Sequence, residues 1–249
     1  MILYGRNPVR EALRGRRAHS VSEVWASAGA AREQWLAGVP VRIASAPEIQ
    51  RRCGSPEHQG VCAEAGSYPY ASAVELLAHE QPLLVALDRV QDPQNLGSIC
   101  RTAECAGAAG VVIPERRAAE VTAAVCKASA GAVEHLSLAR VRNLADFLVQ
   151  ARQAGCWCYG ASATAGARAP SSREPATVAY DALDYRGSGV VLVLGSEGSG
   201  LRPRVAGACD QLVALPLLGK VESLGVAAAA AALLYEILQS RISGLDKVS

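Results

Sequence analysis

Val190 to Leu201 reads VVLVLGSEGSGL, an apolar run that enters Gly195-Ser196-Glu197-Gly198-Ser199-Gly200 without a polar break. A run with no alternation is the pattern of a strand buried on both faces. The glycines at its end let the chain turn sharply and bring backbone close to a ligand. The same character recurs outward along the chain, in Leu83 to Leu87, Gly110 to Ile113, Cys156 to Ala161 and Leu212 to Leu215. Between these runs, apolar residues fall at helical spacing over Leu96 to Ala106, Ala118 to Ser129, Leu144 to Ala154 and Ser223 to Ser240. The alternation predicts an α/β fold: a mostly parallel sheet covered by helices, with ligand sites at the carboxyl ends of its strands. The glycine order is G-x-x-G-x-G and comes late in the chain, which disfavours a dinucleotide-dependent oxidoreductase.

The front of the chain is built differently. Asn7-Pro8 reads as a helix cap with Pro at the first helical position, opening a helix to about Arg14-Gly15. Strands are expected at Val21 to Ala26, Val41 to Ala44 and Gly60 to Ala65, and helices at Ala31 to Leu36 and Pro47 to Arg52. Residues 1–72 thus form a compact α/β module, 73–82 a linker, and 83–249 the larger domain. The module carries nine arginines, no lysine and six glutamates, whereas the whole chain is only +2. A basic module beside a near-neutral domain suits an anionic partner. Arg10, Arg14 and Arg17 would lie on one face of the first helix, as a phosphate-binding stripe with Arg6 or as an ordinary solvated face.

Two further segments carry chemistry. In DRVQDPQNLGSICRTAECAG, Asp88 to Gly107, Asn95 is placed to cap a helix on which Leu96, Ile99, Cys100 and Ala103 share a buried face. Arg101 is left on the open face, either paired with Glu104 or free to seat a phosphate near a helix N-terminus. In LPLLGKVESLGVAAAAAALLYE, Leu215 to Glu236, Ser223 stands where a cap is wanted before an alanine-rich helix whose small side chains permit close approach.

Eight cysteines without an export-type N-terminus suggest reduced, buried thiols, and neither their spacing nor that of the four histidines supports a metal site. No run approaches the roughly 18 apolar residues of a membrane span, so a soluble, cytoplasmic protein is expected.

Taken together, N-x-G-x-x-x-R-[ST] at Asn95 to Thr102, L-G-x-E-G-x-G at Leu194 to Gly200 and P-x-x-G-x-x-x-S-L at Pro216 to Leu224 resemble the SpoU (TrmH) family of RNA 2′-O-ribose methyltransferases. The front module, in Tyr4-Gly5-Arg6-Asn7-Pro8-Val9 and His58-Gln59-Gly60-Val61, resembles the substrate-recognition domain of one subgroup. That subgroup includes the bacterial enzyme modifying a guanosine in the peptidyl-transferase loop of 23S ribosomal RNA. The resemblance implies an L30e-like RNA-binding domain followed by a SPOUT domain with a deep C-terminal trefoil knot, assembled as a homodimer with Arg101 near the subunit boundary.

It also implies that Ala161, Gly195, Ser196, Gly198, Leu215, Leu217, Ser223 and Leu224 hold S-adenosylmethionine, and that Asn95, Arg101, Glu197 and Ser223 surround the reacting atoms. Arg101 is the family's proposed base, but a guanidinium is almost never deprotonated in a protein, so gripping the target phosphate and stabilising the developing alkoxide is the better role. The chain departs from the family at Gly225, where Asn is usual. Other outcomes consistent with the resemblance are a transfer-RNA or resistance-type ribosomal-RNA methyltransferase, or a catalytically weak RNA-binding or ribosome-assembly protein.

Overall fold

The computed structural model describes residues 1–162, 175–221 and 223–243, so residues 163–174, 222 and 244–249 of the expected catalytic domain lie outside it. Two sheets organise the chain. The first has four strands, β1 (Ile2–Tyr4), β2 (Val21–Ala26), β3 (Val41–Ile43) and β4 (Val61–Ala65), in the order β1-β4-β2-β3. Its helices are α1 (Arg6–Ala12) and α2 (Ala46–Cys53). The expected helix at 31–36 is instead a pair of 3₁₀ turns, Ala30–Arg32 and Gln34–Leu36. The segment expected as a linker holds α3 (Ala73–Leu77), capped by Ser72 and packed on the second sheet.

The second sheet has seven strands: β5 (Leu83–Asp88), β6 (Gly110–Pro114), β7 (Ser137–Val141), β8 (Cys156–Ser162), β9 (Thr177–Ala179), β10 (Gly189–Gly195) and β11 (Gln211–Ala214). Their order is β7-β6-β5-β10-β8-β11-β9, and every pairing in it is parallel. The apolar runs are explained by which side each residue covers. Leu83, Val85, Leu87, Val190, Leu192 and Leu194 meet α4 (Pro93–Cys105), α5 (Ala123–Ala128) and α8 (Val226–Ile242). Leu84, Ala86, Val191 and Val193 meet α3, α6 (Leu144–Gln153) and α7 (Pro203–Ala206). With helices on both faces, each fully buried Leu or Val contributes roughly 1.5–3 kcal/mol. The chain runs from β5 to β7 toward one edge and from β8 toward the other, with β10 between β5 and β8. That reversal opens a crevice at the carboxyl ends of the central strands.

The two sheets share one apolar cluster. Leu3, Val9, Val24 and Val61 of the first part are continuous with Val125, Val133 and Leu136 of the second through Tyr68. The Tyr68 hydroxyl lies 2.9 Å from the Val133 carbonyl and 2.8 Å from that of Leu136, and burial pushes its pKa up. Arg17 is buried at this junction rather than exposed. Its Nε donates to Glu134 Oε2 at 2.9 Å, Nη2 donates to the other carboxylate oxygen, and Nη1 donates to the Gly66 carbonyl at 3.2 Å.

All eight cysteines are free and six are buried. Among the described residues no helix is long and apolar enough to cross a membrane, and no group of three or more His, Cys, Asp or Glu could hold a metal ion.

Candidate active site

β10 delivers the glycine-rich turn to the crevice. Ser196 and Gly200 exchange backbone hydrogen bonds of 3.2 and 3.0 Å, closing a tight loop that carries Glu197. Gly195 permits this closure, since a Cβ there would lie 2.2 Å from the carbonyl carbon of Gly200. The chain leaving the turn is fastened to the end of β5. Buried Asp88 accepts from the Arg202 backbone N–H at 2.9 Å and from its Nε and Nη2 at 2.7 Å each.

Across the turn, Asn95 Nδ2 donates to Glu197 Oε1 at 3.0 Å. Asn95 is therefore not the helix cap expected from the sequence. Asp92 takes that position, accepting from the Gln94 N–H at 3.1 Å, with Pro93 opening α4. The Asn95 amide is thereby left to hold Glu197. Ser223 is likewise not a cap, because α8 begins one residue after Gly225, whose side chain offers nothing to cap with.

The serine-led loop and the glycine turn face each other across a cavity of about 310 Å³. Ala161, Gly195, Ser196, Gly198, Leu215, Leu217, Ser223 and Leu224 all line it, as does Glu197. Ser162, Val213, Ala229 and Leu233 also line it and were not singled out from the sequence. Ala229 and Leu233 are one helical turn apart on α8, so helical spacing beyond Ser223 was the available signal. The donor set suits an amphipathic organic ligand: leucine and valine walls for an apolar or aromatic part, and serine and backbone groups at the turn for polar ends. A Cβ built at Gly198 or Gly200 would meet nothing within 4 Å, so the turn leaves open space beside the chain.

Gly225 has φ 76° and ψ 147°, a conformation close to glycine-only. Space is not the obstacle, since a Cβ there would lie 3.8 Å from Glu197 Oε1. The backbone of this loop thus accounts for a glycine where the family usually has Asn. Gly225→Asn is expected to strain the loop by about 1–3 kcal/mol and weaken cofactor binding by about tenfold or more, with no gain in turnover. Tighter binding in a calorimetric titration of that variant would contradict this.

Arg101 stands apart from these groups. It is exposed on α4, two turns beyond Asn95, and lines a separate cleft with Asn7, Arg10, Glu104 and His135. No ion pair forms between Arg101 and Glu104 among the described residues. The expected arginine stripe does not form either. Helix α1 starts at Arg6, with Gly5 rather than Asn7 at the cap position, and ends at Ala12. Arg14 therefore lies beyond the helix on the surface, and Arg17 is 1 % exposed and enclosed against Glu134. Arg6 pairs with Glu33 at 3.0 Å and Arg10 with Glu11 at 2.7 Å.

Known proteins resemble the chain in sequence and in fold. Residues 82–235 match the model of the SpoU rRNA Methylase family, and residues 2–71 that of the RNA 2′-O ribose methyltransferase substrate-binding domain. The TrmH-family tRNA/rRNA methyltransferase YacO of Bacillus subtilis is 42% identical over 194 residues, covering 74% of this chain and 72% of the relative. A TrmH-family relative from Staphylococcus haemolyticus is 32% identical over 97% of this chain and 96% of its own. Among solved structures, an AdoMet-bound rRNA methyltransferase from Sinorhizobium meliloti superposes with TM-score 0.78 at 27% identity, covering 96% of this chain and 86% of that one. The SpoU methyltransferase AviRb from Streptomyces viridochromogenes, in complex with AdoMet, gives 0.77 at 26% identity, covering 98% and 91%. The chain belongs to the SpoU rRNA methylase family and is an RNA ribose 2′-O-methyltransferase that takes its methyl group from S-adenosylmethionine.

Proposed function

We propose that the chain methylates a guanosine 2′-hydroxyl in the peptidyl-transferase loop of 23S ribosomal RNA, in the cytoplasm and as a homodimer. In this reading residues 1–72 recognise RNA, 73–82 join the parts, and 83–249 catalyse, with the loops after β10 and β11 threaded as a trefoil knot. The cavity between the glycine turn and the serine-led loop, with Asn95 and Glu197 beside it, is the observation that carries the catalytic part. The target assignment is supported by the front module, where the two recognition stretches lie side by side: the Arg6 N–H donates to Gln59 Oε1 at 3.0 Å and the Gly5 N–H to the Val61 carbonyl at 3.1 Å.

S-adenosylmethionine supplies an electrophilic methyl group. The chain's own residues must orient the ribose hydroxyl and lower the cost of the charge that develops as its proton leaves. Asn95 engages one oxygen of Glu197, and the other has no hydrogen-bond partner among the described residues, so it can accept from that hydroxyl. Ser223, on the cavity wall, orients the donor side. Arg101, which does not line its own chain's cavity, serves the partner's site across the dimer, gripping the target phosphate and the forming alkoxide.

Mass mapping of ribose methylation in ribosomal and transfer RNA, with and without the gene, tests the target. Loss of a single guanosine mark in the peptidyl-transferase loop is expected. A lost transfer-RNA mark, with ribosomal RNA intact, would reassign the substrate and leave the chemistry standing.

A further inference from the structure

A further cleft, of about 320 Å³, opens on the same side of the seven-stranded sheet as the cavity, where β5, β6 and β7 end. Arg89, Arg116, Arg117, Arg142, Arg202 and Arg204 line it. Arg202 is committed to Asp88 and Arg204 pairs with Asp146 at 2.8 Å. The other four have no ion-pair partner among the described residues. Two of them are held in conformations that cost a side-chain-bearing residue energy: φ is 63° at Arg89 and 59° at Arg117. Arg89 Nε is buried without a hydrogen-bond partner. Four guanidiniums with no carboxylate paired to any of them repel one another, an arrangement that an anion in the cleft would relieve. The start of α6, at Asn143 and Ala145, also lines the cleft and adds the positive end of a helix dipole.

This cleft is joined to the cofactor cavity. A smaller recess lined by Arg89, Asn95, Ser196 and Glu197 shares Ser196 and Glu197 with the cavity and Arg89 with the arginine cleft. A polynucleotide whose ribose stands at Asn95 and Glu197 would therefore run its adjoining backbone past Arg89 into the cleft.

We propose that the arginine cleft binds the phosphodiester backbone of the RNA strand flanking the target nucleotide, so that the catalytic sheet itself grips substrate. This rests on the RNA methyltransferase reading and adds the path of the strand. Arg116, Arg117 and Arg142 would each contact phosphate, with Arg89 guiding the strand toward the reacting ribose.

The test replaces Arg116, Arg117 and Arg142, all exposed, with Gln together. Binding of a mixed-sequence single-stranded oligoribonucleotide is then titrated against salt concentration, because phosphate contacts are sequence-independent. The log–log salt slope is expected to flatten by about 0.7 per lost contact, close to 2 in all, and affinity near 0.1 M salt to fall roughly a hundredfold. KM for RNA should rise while kcat and calorimetric S-adenosylmethionine binding hold, and the triple Lys variant should recover much of the slope. An unchanged slope and affinity would overturn the cleft while leaving the enzyme reading intact. Failure of the wild-type protein to bind RNA at any salt, with cofactor binding preserved, would overturn both.

Discussion

An Arg101→Ala protein and a Glu197→Ala protein, each nearly inactive, are expected to recover about a quarter of wild-type methyl transfer when unfolded together, refolded and mixed in equal amounts. Either substitution alone should lower kcat by about 10²–10³, the usual loss when one group stabilising transition-state charge is removed. The recovery follows from where the residues sit. Glu197 lines the cavity between the glycine turn and the serine-led loop of its own chain, whereas Arg101 projects from α4 into a different cleft. If Arg101 serves the partner's site, a mixed dimer has one site with both residues and one with neither. Half of all dimers are mixed after random pairing, which gives the quarter. If Arg101 served its own chain, each site in the mixed dimer would lack one residue and no activity would return. Arg101→Lys tests the role more finely: it keeps the charge and loses the planar fork, so turnover should stay well below wild type. Near-normal turnover would mean that charge alone suffices. Cofactor affinity should hold in all Arg101 variants, because Arg101 does not line that cavity.

Arg17→Ala and Glu134→Ala should each destabilise the fold by about 3–5 kcal/mol, since each strands a charge in the interior. Arg17 is 1 % exposed and Glu134 fully buried. Burial pulls the Arg17 pKa down, but hydrogen bonding to Glu134 and its negative charge more than compensate, so the guanidinium is held above its ordinary value. The pair joins the segment after α1 to the turn after α5, and Arg17 also lies over the Tyr68 ring at 5.4 Å. Urea denaturation should show the loss as a lower midpoint. Replacing both residues together with Met and Leu should restore most of the stability, because no unpaired charge remains. A single variant with an unshifted midpoint would mean that water or a rearranged neighbour satisfies the remaining charge.

What could be read from the residues alone follows the physics of each element. The central strands were legible because both of their faces are buried, which leaves a continuous apolar signature. β7 and β9, at the two edges, carry half-exposed residues in short runs, SLARV and TVA, and had no such signature. The helix starts were misplaced where one residue type serves two purposes. Asn95 and Ser223 are good capping residues by type, yet Asp92 and Gly225 occupy the cap positions, and the amide and hydroxyl line the clefts of the site. The residues that line the cavity between the glycine turn and the serine-led loop could be named in advance because the family resemblance specifies them one by one. The arginine stripe failed because helix α1 ends at Ala12 and because the partner that buries Arg17 lies 117 residues away, beyond any local pattern. The arginine cleft was invisible for a related reason. Its arginines come from four stretches of chain that follow β5, β6, β7 and β10, and only a parallel sheet, which gathers strand ends on one side, brings them together.

In the proposed function the glycine turn, the serine-led loop and α8 enclose the methyl donor. Calorimetric titration of S-adenosylmethionine into the wild-type protein and into Ala229→Phe, which would fill the cavity from the rigid wall of α8, tests it most directly. The expected result is one cofactor per chain in the wild type and binding at least about a hundredfold weaker in the variant, with unfolding midpoints alike. Equal affinity in both proteins would place the donor elsewhere and contradict the account.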